Sequence, residues 1–282
     1  MDNYQVRTMS RKDLDTAVEW AAKEGWNPGL YDANAFWATN SKGYFMGFLD
    51  NEPISSISAV SYNGEFGFLG FYITKPEYRG KGFGIQVWNK AIEYLGHQNI
   101  GLDGVVAQQE NYKKSGFKLA YRNIRYEGKG GSETETGSES FLELSKIPFE
   151  QLLEYDNNFF PTPRLQFLRP LIKQPESLAI GFVDGNKLKG YGMVRKCRTG
   201  FKVGPLFANT ATIANKLFQK MRAFVGENTQ IFLDVPEVNK QAVALAQAYK
   251  MKPMFETARM YTKEPPKIDL NKVFGVTTFE LG

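Results

Sequence analysis

The sequence holds one cysteine, Cys197, and one histidine, His97. A lone cysteine cannot close an internal disulfide and suits a reducing compartment, so a cytoplasmic location is expected. A Ser–His or Cys–His nucleophile would have to recruit His97, which follows the helix-ending Gly96 and reads as a surface residue, so hydrolase chemistry of that kind is not expected. Cys197 reads as a structural thiol. No His, Cys and carboxylate spacing suggests a metal. Apolar runs stop short of the roughly 20 residues a membrane helix needs, and the start of the chain, with Asp2, Arg7, Arg11 and Lys12, lacks the apolar stretch of a signal peptide. Charge of one sign is scarce too: 35 Lys+Arg against 30 Asp+Glu leave +5. The basic residues form no long block or stripe, so neither a nucleic-acid nor a membrane partner is expected.

What the chain does have is 282 residues, enough for two ordinary domains, and an informative stretch at Arg79-Gly80-Lys81-Gly82-Phe83-Gly84. Before it, Glu65 to Ile73 is aromatic and β-branched and reads as a buried strand. After it, Ile85 to Leu95 places Ile85, Trp88, Ile92 and Leu95 on one helical face, with Gly96 as the C-terminal cap. A strand, a glycine loop and a helix in that order make an anion site, because glycines turn backbone N–H groups inward and the helix dipole points its positive end at the same spot. A phosphate or pyrophosphate ligand follows. The Walker pattern is missing, and a dinucleotide fingerprint would need glycine where Ile85 stands.

Arg79, Gly82 and Gly84 fit Arg/Gln-x-x-Gly-x-Gly/Ala, with Ile73 closing the strand and Pro76 opening the loop. This resembles the acetyl-CoA loop of the GNAT superfamily of N-acyltransferases. Tyr112-Lys113-Lys114-Ser115-Gly116-Phe117 resembles a second element of that family, Tyr-x-Lys-x-Gly-Phe. The asparagine usual upstream is missing between Gly104 and Gln109, and Asn111 stands beside Tyr112 instead. The resemblance implies acetyl-CoA held by Phe71, Tyr72 and Ile73 and by the loop Arg79, Gly80, Lys81, Gly82, Phe83 and Gly84, with Asn111 near the pantetheine arm. It implies direct attack by a small-molecule amine, with Tyr112 as general acid at the sulfur. The base is open. Glu65 shares strand parity with Phe71 and Ile73 and is one reading; a solvated residue of the Asn63-Gly64 turn is the other.

The chain also reads as a duplication. An offset of 134 residues carries the Asp50 hairpin onto that at Asp184 and Gly70 onto Gly204, and Asp103 and Tyr126 find counterparts at nearly the same spacing in Asp234 and Tyr261. The same offset carries the glycine loop onto Ile213 to Phe218, which has no glycine. The expected fold is therefore two α/β domains with mixed (α+β) sheets: 1–127 catalytic, 128–140 a linker, and 141–282 a degenerate second copy shaping the acceptor site. Together with Trp26-Asn27-Pro28-Gly29 and Phe274-Gly275-Val276-Thr277, this resembles bacterial two-part GNAT proteins. Acceptor contacts are expected from Trp26, Asn27 and Tyr31, with Asp156 and Arg164 clamping an amine and a carboxylate. A monomer or homodimer is expected. The alternative from another class is a non-catalytic CoA-binding sensor or scaffold.

Overall fold

The structure, a computed structural model, describes residues 3–132 and 141–282. The first half runs β1 (Tyr4–Thr8), α1 (Arg11–Lys23), α2 (Asp32–Asn40), β2 (Tyr44–Leu49), β3 (Glu52–Tyr62), β4 (Phe66–Thr74), α3 (Phe83–Leu95), β5 (Asn99–Val105), α4 (Gln109–Lys114) and β6 (Lys118–Lys129). The second half repeats that order: β7 (Phe141–Glu143), α5 (Phe149–Asp156), α6 (Leu165–Leu171), β8 (Ser177–Asp184), β9 (Lys187–Lys196), β10 (Phe201–Ala208), α7 (Ala211–Val225), β11 (Gln230–Pro236), α8 (Lys240–Ala248) and β12 (Lys252–Tyr261), followed by the short β13 (Val273–Gly275).

Local chemistry explains many boundaries. Ser10 and Asp13 close a reciprocal capping box on α1. Asp50 and Asn51 both take positive φ, 47° and 70°, in the turn between β2 and β3, as a twisted two-residue hairpin demands. Helix α3 starts and ends on glycine, Gly82 and Gly96. Its buried face is Phe83, Val87, Trp88, Ala91 and Leu95. The expected face was partly misplaced: Ile85 is 51 % exposed, because the helix rolls Phe83 and Val87 onto the sheet instead.

All the strands among the described residues join one sheet, in the order β1-β2-β3-β4-β5-β12-β6-β11-β10-β9-β8-β7, with β13 on β10. The two halves have exchanged a strand. β12, from the second half, lies antiparallel between β5 and β6, and β6, from the first, lies antiparallel between β12 and β11. Each exchanged strand carries a buried arginine set directly opposite an aspartate of the other half. Arg125 faces Asp234 and donates from Nε and Nη2 at 2.7 and 2.8 Å. Arg259 faces Asp103 and donates from the same two atoms at 2.8 and 2.5 Å. A third inter-half pair, Arg195 with Asp32, is fully buried at 2.8 Å.

The boundaries expected at 127 and 141 thus do not separate two independent sheets. Gly128 and Lys129 belong to β6, and the Gly130 and Gly131 amides donate to Thr229 O and Arg222 O at 2.8 and 2.9 Å, so this part of the expected linker is tied into the second half. The remainder, 133–140, lies outside the described residues.

Residues 1–127 expressed alone would lack the strand that covers β5 and leave Arg125 without its partner. They are expected to aggregate rather than give a folded monomer, as read by gel filtration and circular dichroism. In the full chain, Arg259→Met strands the buried Asp103 carboxylate and should cost about 3–5 kcal/mol in equilibrium urea unfolding.

Candidate active site

Strands β4 and β5 pair in parallel from Phe66–Asn99 to Leu69–Leu102 and then part, although β4 continues to Thr74 and β5 to Val105. The cause lies on β4. Ser56 is opposite Ile73 and Ser58 opposite Gly70, so an extra β4 residue bulges from the ladder with β3. Phe71 sits in it at φ 48°, a conformation costing a side-chain-bearing residue about 1–2 kcal/mol. Ser56 Oγ offsets this by donating to Phe71 O at 2.7 Å, and the Phe71 ring packs edge-on against Phe36 in the core. The parted strands leave backbone polar groups of Gly70 to Thr74 without a ladder partner on the β5 side.

A cavity of about 480 Å³ opens in this wedge. At one end stands the glycine loop. Gly80 and Gly82 take φ 76° and 84°, and a Cβ on either would meet nothing within 4 Å, so the loop face is bare. Gly82 begins α3, and no side chain caps the first turn, which leaves its amides free for an anion. Arg79 braces the loop, donating from Nε to Thr74 O at 2.8 Å and from Nη2 to Glu24. Gly84 serves close packing instead: a Cβ there would lie 2.9 Å from Thr74 Oγ1 and 3.0 Å from the Tyr72 hydroxyl.

Tyr112 lines the middle of the cavity, its ring stacked 5.7 Å from Trp88. Burial raises its phenol well above the usual value near 10, so the proton stays on at neutral pH. The far end is built by both halves: Trp26, Asp103, Phe255, Thr257, Phe279 and Glu280. Arg125 ties these walls together. Its Nη1 donates to Trp26 O at 2.6 Å, and its guanidinium lies over the rings of Phe279 and Phe255, 5.0 and 5.9 Å from their centroids.

Of the residues singled out from sequence, Phe71, Tyr72, Ile73, Arg79, Gly80, Gly82, Gly84, Tyr112 and Trp26 line the cavity. The others do not. Lys81 points to solvent near the Tyr78 ring, and Phe83 is packed against Tyr4 and Tyr78. Asn111 is exposed and donates to Gln108, which lines the cavity in its stead. Glu65 has the right parity but the wrong place. It is exposed in the turn before β4, six residues and therefore roughly 20 Å of strand from the bulge. Asn27 exchanges hydrogen bonds with the Thr199 backbone, and Tyr31 donates to Glu176, so both tie the first loop to the second half. Asp156 and Arg164 are not a substrate clamp. They are fully buried in a bidentate pair with both contacts at 2.8 Å, and Tyr191 donates to the same carboxylate. Arg164 then fastens the segment after β13, donating to Thr277 Oγ1 at 3.0 Å and Gly282 O at 3.3 Å. That segment delivers Phe279 and Glu280, which no periodicity or motif announces.

The second half has the same wedge, filled. Strands β10 and β11 pair in parallel only to Val203–Leu233. Beyond that β13 lies against β10, with Leu206 opposite Gly275, and Val276 N donates to Asp234 O on β11 at 2.9 Å. Helix α7 starts on Thr210, whose hydroxyl accepts from Ile213 N. Cys197 is buried nearby, with its thiol raised chiefly by burial.

Two family models match the chain: the acetyltransferase (GNAT) family over residues 9–117 and an acetyltransferase (GNAT) domain over 152–275. A curated relative, holothin acyltransferase of Pseudoalteromonas sp. (strain SANK 73390), is 28 % identical over 285 residues, covering 100 % of this chain and 97 % of its own. Among solved structures, a Pyrococcus horikoshii protein described as an acetyltransferase candidate superposes with TM-score 0.84 at 22 % identity, covering 99 % of this chain and 96 % of that one. A tandem GNAT protein from the clavulanic acid biosynthesis pathway superposes at 0.63 and 11 % identity, covering 93 % and 100 %.

Because the space before Gly82 is open, a longer side chain there would block a ligand without striking the protein. Gly82→Glu is expected to lose coenzyme A uptake by calorimetry while keeping its circular dichroism spectrum. Undiminished uptake would remove the loop from the site.

Proposed function

As the chain belongs to the GNAT superfamily, two such domains in tandem, we propose that it is an acetyl-CoA-dependent N-acetyltransferase acting on a primary amine of a small molecule, with one reaction centre per chain. The observation that carries this reading is one continuous cavity joining a bare glycine loop, a parted pair of strands and a buried tyrosine. The relative's name, an acyltransferase, supports acyl transfer as the reaction.

The residues present suit coenzyme A. The uncapped first turn of α3 with Gly80 and Gly82 would take the pyrophosphate, and the unpaired edge of β4 from Gly70 to Thr74 would take the amide-bearing arm, as an added strand takes an edge. When bound, the thioester supplies the acyl group and a thiolate leaving group. The free β4 donors near the Phe71 bulge are placed to hold the carbonyl oxygen, an interaction typically worth about 3 kcal/mol as charge develops. Tyr112 is the donor for the departing sulfur. Its raised pKa makes full proton transfer to the thiolate, whose thiol has a reference pKa near 8.5, uphill, so its share is a hydrogen bond that strengthens as sulfur charge grows.

The second copy is assigned no cofactor. Three observations support this: β13 lies in its wedge, Thr210 caps the helix that would face a phosphate, and no glycine stands at Ile213 to Phe218. Calorimetry is expected to give one coenzyme A per chain.

Thiol release from acetyl-CoA over an amine panel tests the activity. Tyr112→Phe should lower kcat about 10²-fold or more while coenzyme A affinity holds. A variant that loses affinity in proportion would make Tyr112 a packing residue. Since burial raises the Tyr112 pKa, its donor hydroxyl persists above the ordinary phenol range, and no alkaline loss of rate is expected at pH 9 from this group.

A further inference from the structure

Three acidic residues, Glu24, Asp103 and Glu280, line the cavity, and they differ in what they touch: Glu24 is held by Arg79. Asp103 is taken by Arg259 and by Asn123 Nδ2 at 2.8 Å. Glu280 is 2 % exposed, and neither of its carboxylate oxygens has a hydrogen-bond partner. A buried carboxylate without donors is costly, so its retention calls for a reason. Holding its own segment in place is not that reason, because the backbone is pinned on both sides. Thr278 Oγ1 accepts from the Glu280 and Leu281 amides at 3.1 and 2.9 Å, Tyr62 donates to Leu281 O at 2.9 Å, and Arg164 donates to Gly282 O. Arg125 and Arg195 act on Glu280 electrostatically, but each is already paired, with Asp234 and with Asp32. Neither arginine fills the hydrogen bonds of Glu280. Glu280 shares the wall of the cavity with the aromatic residues Trp26, Phe255 and Phe279. Aromatic faces around a carboxylate make a seat for an ammonium group.

We propose that Glu280, contributed by the second copy to the cavity of the first, seats the protonated amine of the acceptor and takes its proton; this rests on the acyltransferase reading above. Glu280 removes one proton from the ammonium. The freed lone pair forms the C–N bond as the C–S bond breaks. The second proton lost by nitrogen neutralises the thiolate beside Tyr112, and Glu280 returns its own to solvent. The acceptor class is a primary amine protonated at neutral pH on a compact, largely apolar or aromatic body that fits among the three rings. Glu280 takes the place in this chemistry that strand parity had suggested for Glu65.

The test compares wild type, Glu280→Gln and Glu280→Asp with two nucleophiles, phenethylamine, which is protonated at pH 7, and hydroxylamine, which is not. The glutamine variant should bind coenzyme A as wild type does by calorimetry and melt at the same or a higher temperature, since an unfilled buried charge has been removed. It should lose about 10²-fold in kcat/KM with phenethylamine, the usual scale of a positioned base, yet keep its rate with hydroxylamine. The aspartate variant should restore part of the loss. A glutamine variant that melts several degrees lower, or loses both nucleophiles equally, would make Glu280 a structural residue and overturn the proposal. So would unchanged phenethylamine turnover. Absence of coenzyme A uptake by the wild type would instead overturn the acyltransferase reading on which the proposal stands.

Discussion

The exchange of β6 and β12 is the constraint on which the rest depends. Two buried arginine–aspartate pairs lock it, Arg125 with Asp234 and Arg259 with Asp103, related by the internal duplication and each crossing from one half to the other. Such pairs add little over an apolar core when intact, but they are expensive to separate, and this makes them effective at fixing register. A one-residue slip of either strand would bury two unmatched charges and turn every side chain of that strand to the wrong face. The register so fixed sets Arg125 under Trp26, Phe255 and Phe279, and Asp103 into the cavity wall. The walls at the acceptor end are thus products of the sheet's own assembly.

The two ends of the cavity have different origins. The loop, the bulge and Tyr112 come from the first half and from local sequence: a glycine run, a strand irregularity and a short helix. The far end gathers Trp26, Phe255, Phe279 and Glu280 from one loop, one exchanged strand and one late segment. Substitutions at the far end leave the loop's backbone geometry alone, so acceptor preference can change while the phosphate grip stays as it is.

Legibility from sequence followed the same division. The loop was readable because its positive-φ glycines and flanking elements lie within about thirty residues, and the duplication because whole elements recur in order. Strand exchange was not readable. Duplicated strands carry similar patterns, so β6 and β12 have near-equal claims on either sheet, and only the Asp–Arg complementarity across halves settles which goes where. Glu65 failed because parity fixes the face of a strand but not the distance along it. Asp156 and Arg164 failed because two opposite charges near a proline-rich loop fit a clamp and an internal pair equally well until burial is known. Glu280 sits in Thr278-Phe279-Glu280-Leu281, where nothing periodic marks it, and its meaning comes from a cavity wall it shares with residues as distant in sequence as Trp26.

The segment after β13 passes both copies at the same structural address. A side-chain carbon on Gly204 would lie 2.4 Å from Val276 O, and one on Gly70 would lie 2.1 Å from Glu280 O. Those glycines mark the bulges of the second and first copies, so a single peptide leans on both. At the first stop β13 and Val276 stopper the gap between strands; at the second the strap leaves the gap free and furnishes its floor. An ancestral duplicate with two equal halves would have offered two equivalent clefts. Here one strip of chain assigns the division of labour between them, and glycine at both crossings is the toll for letting it through.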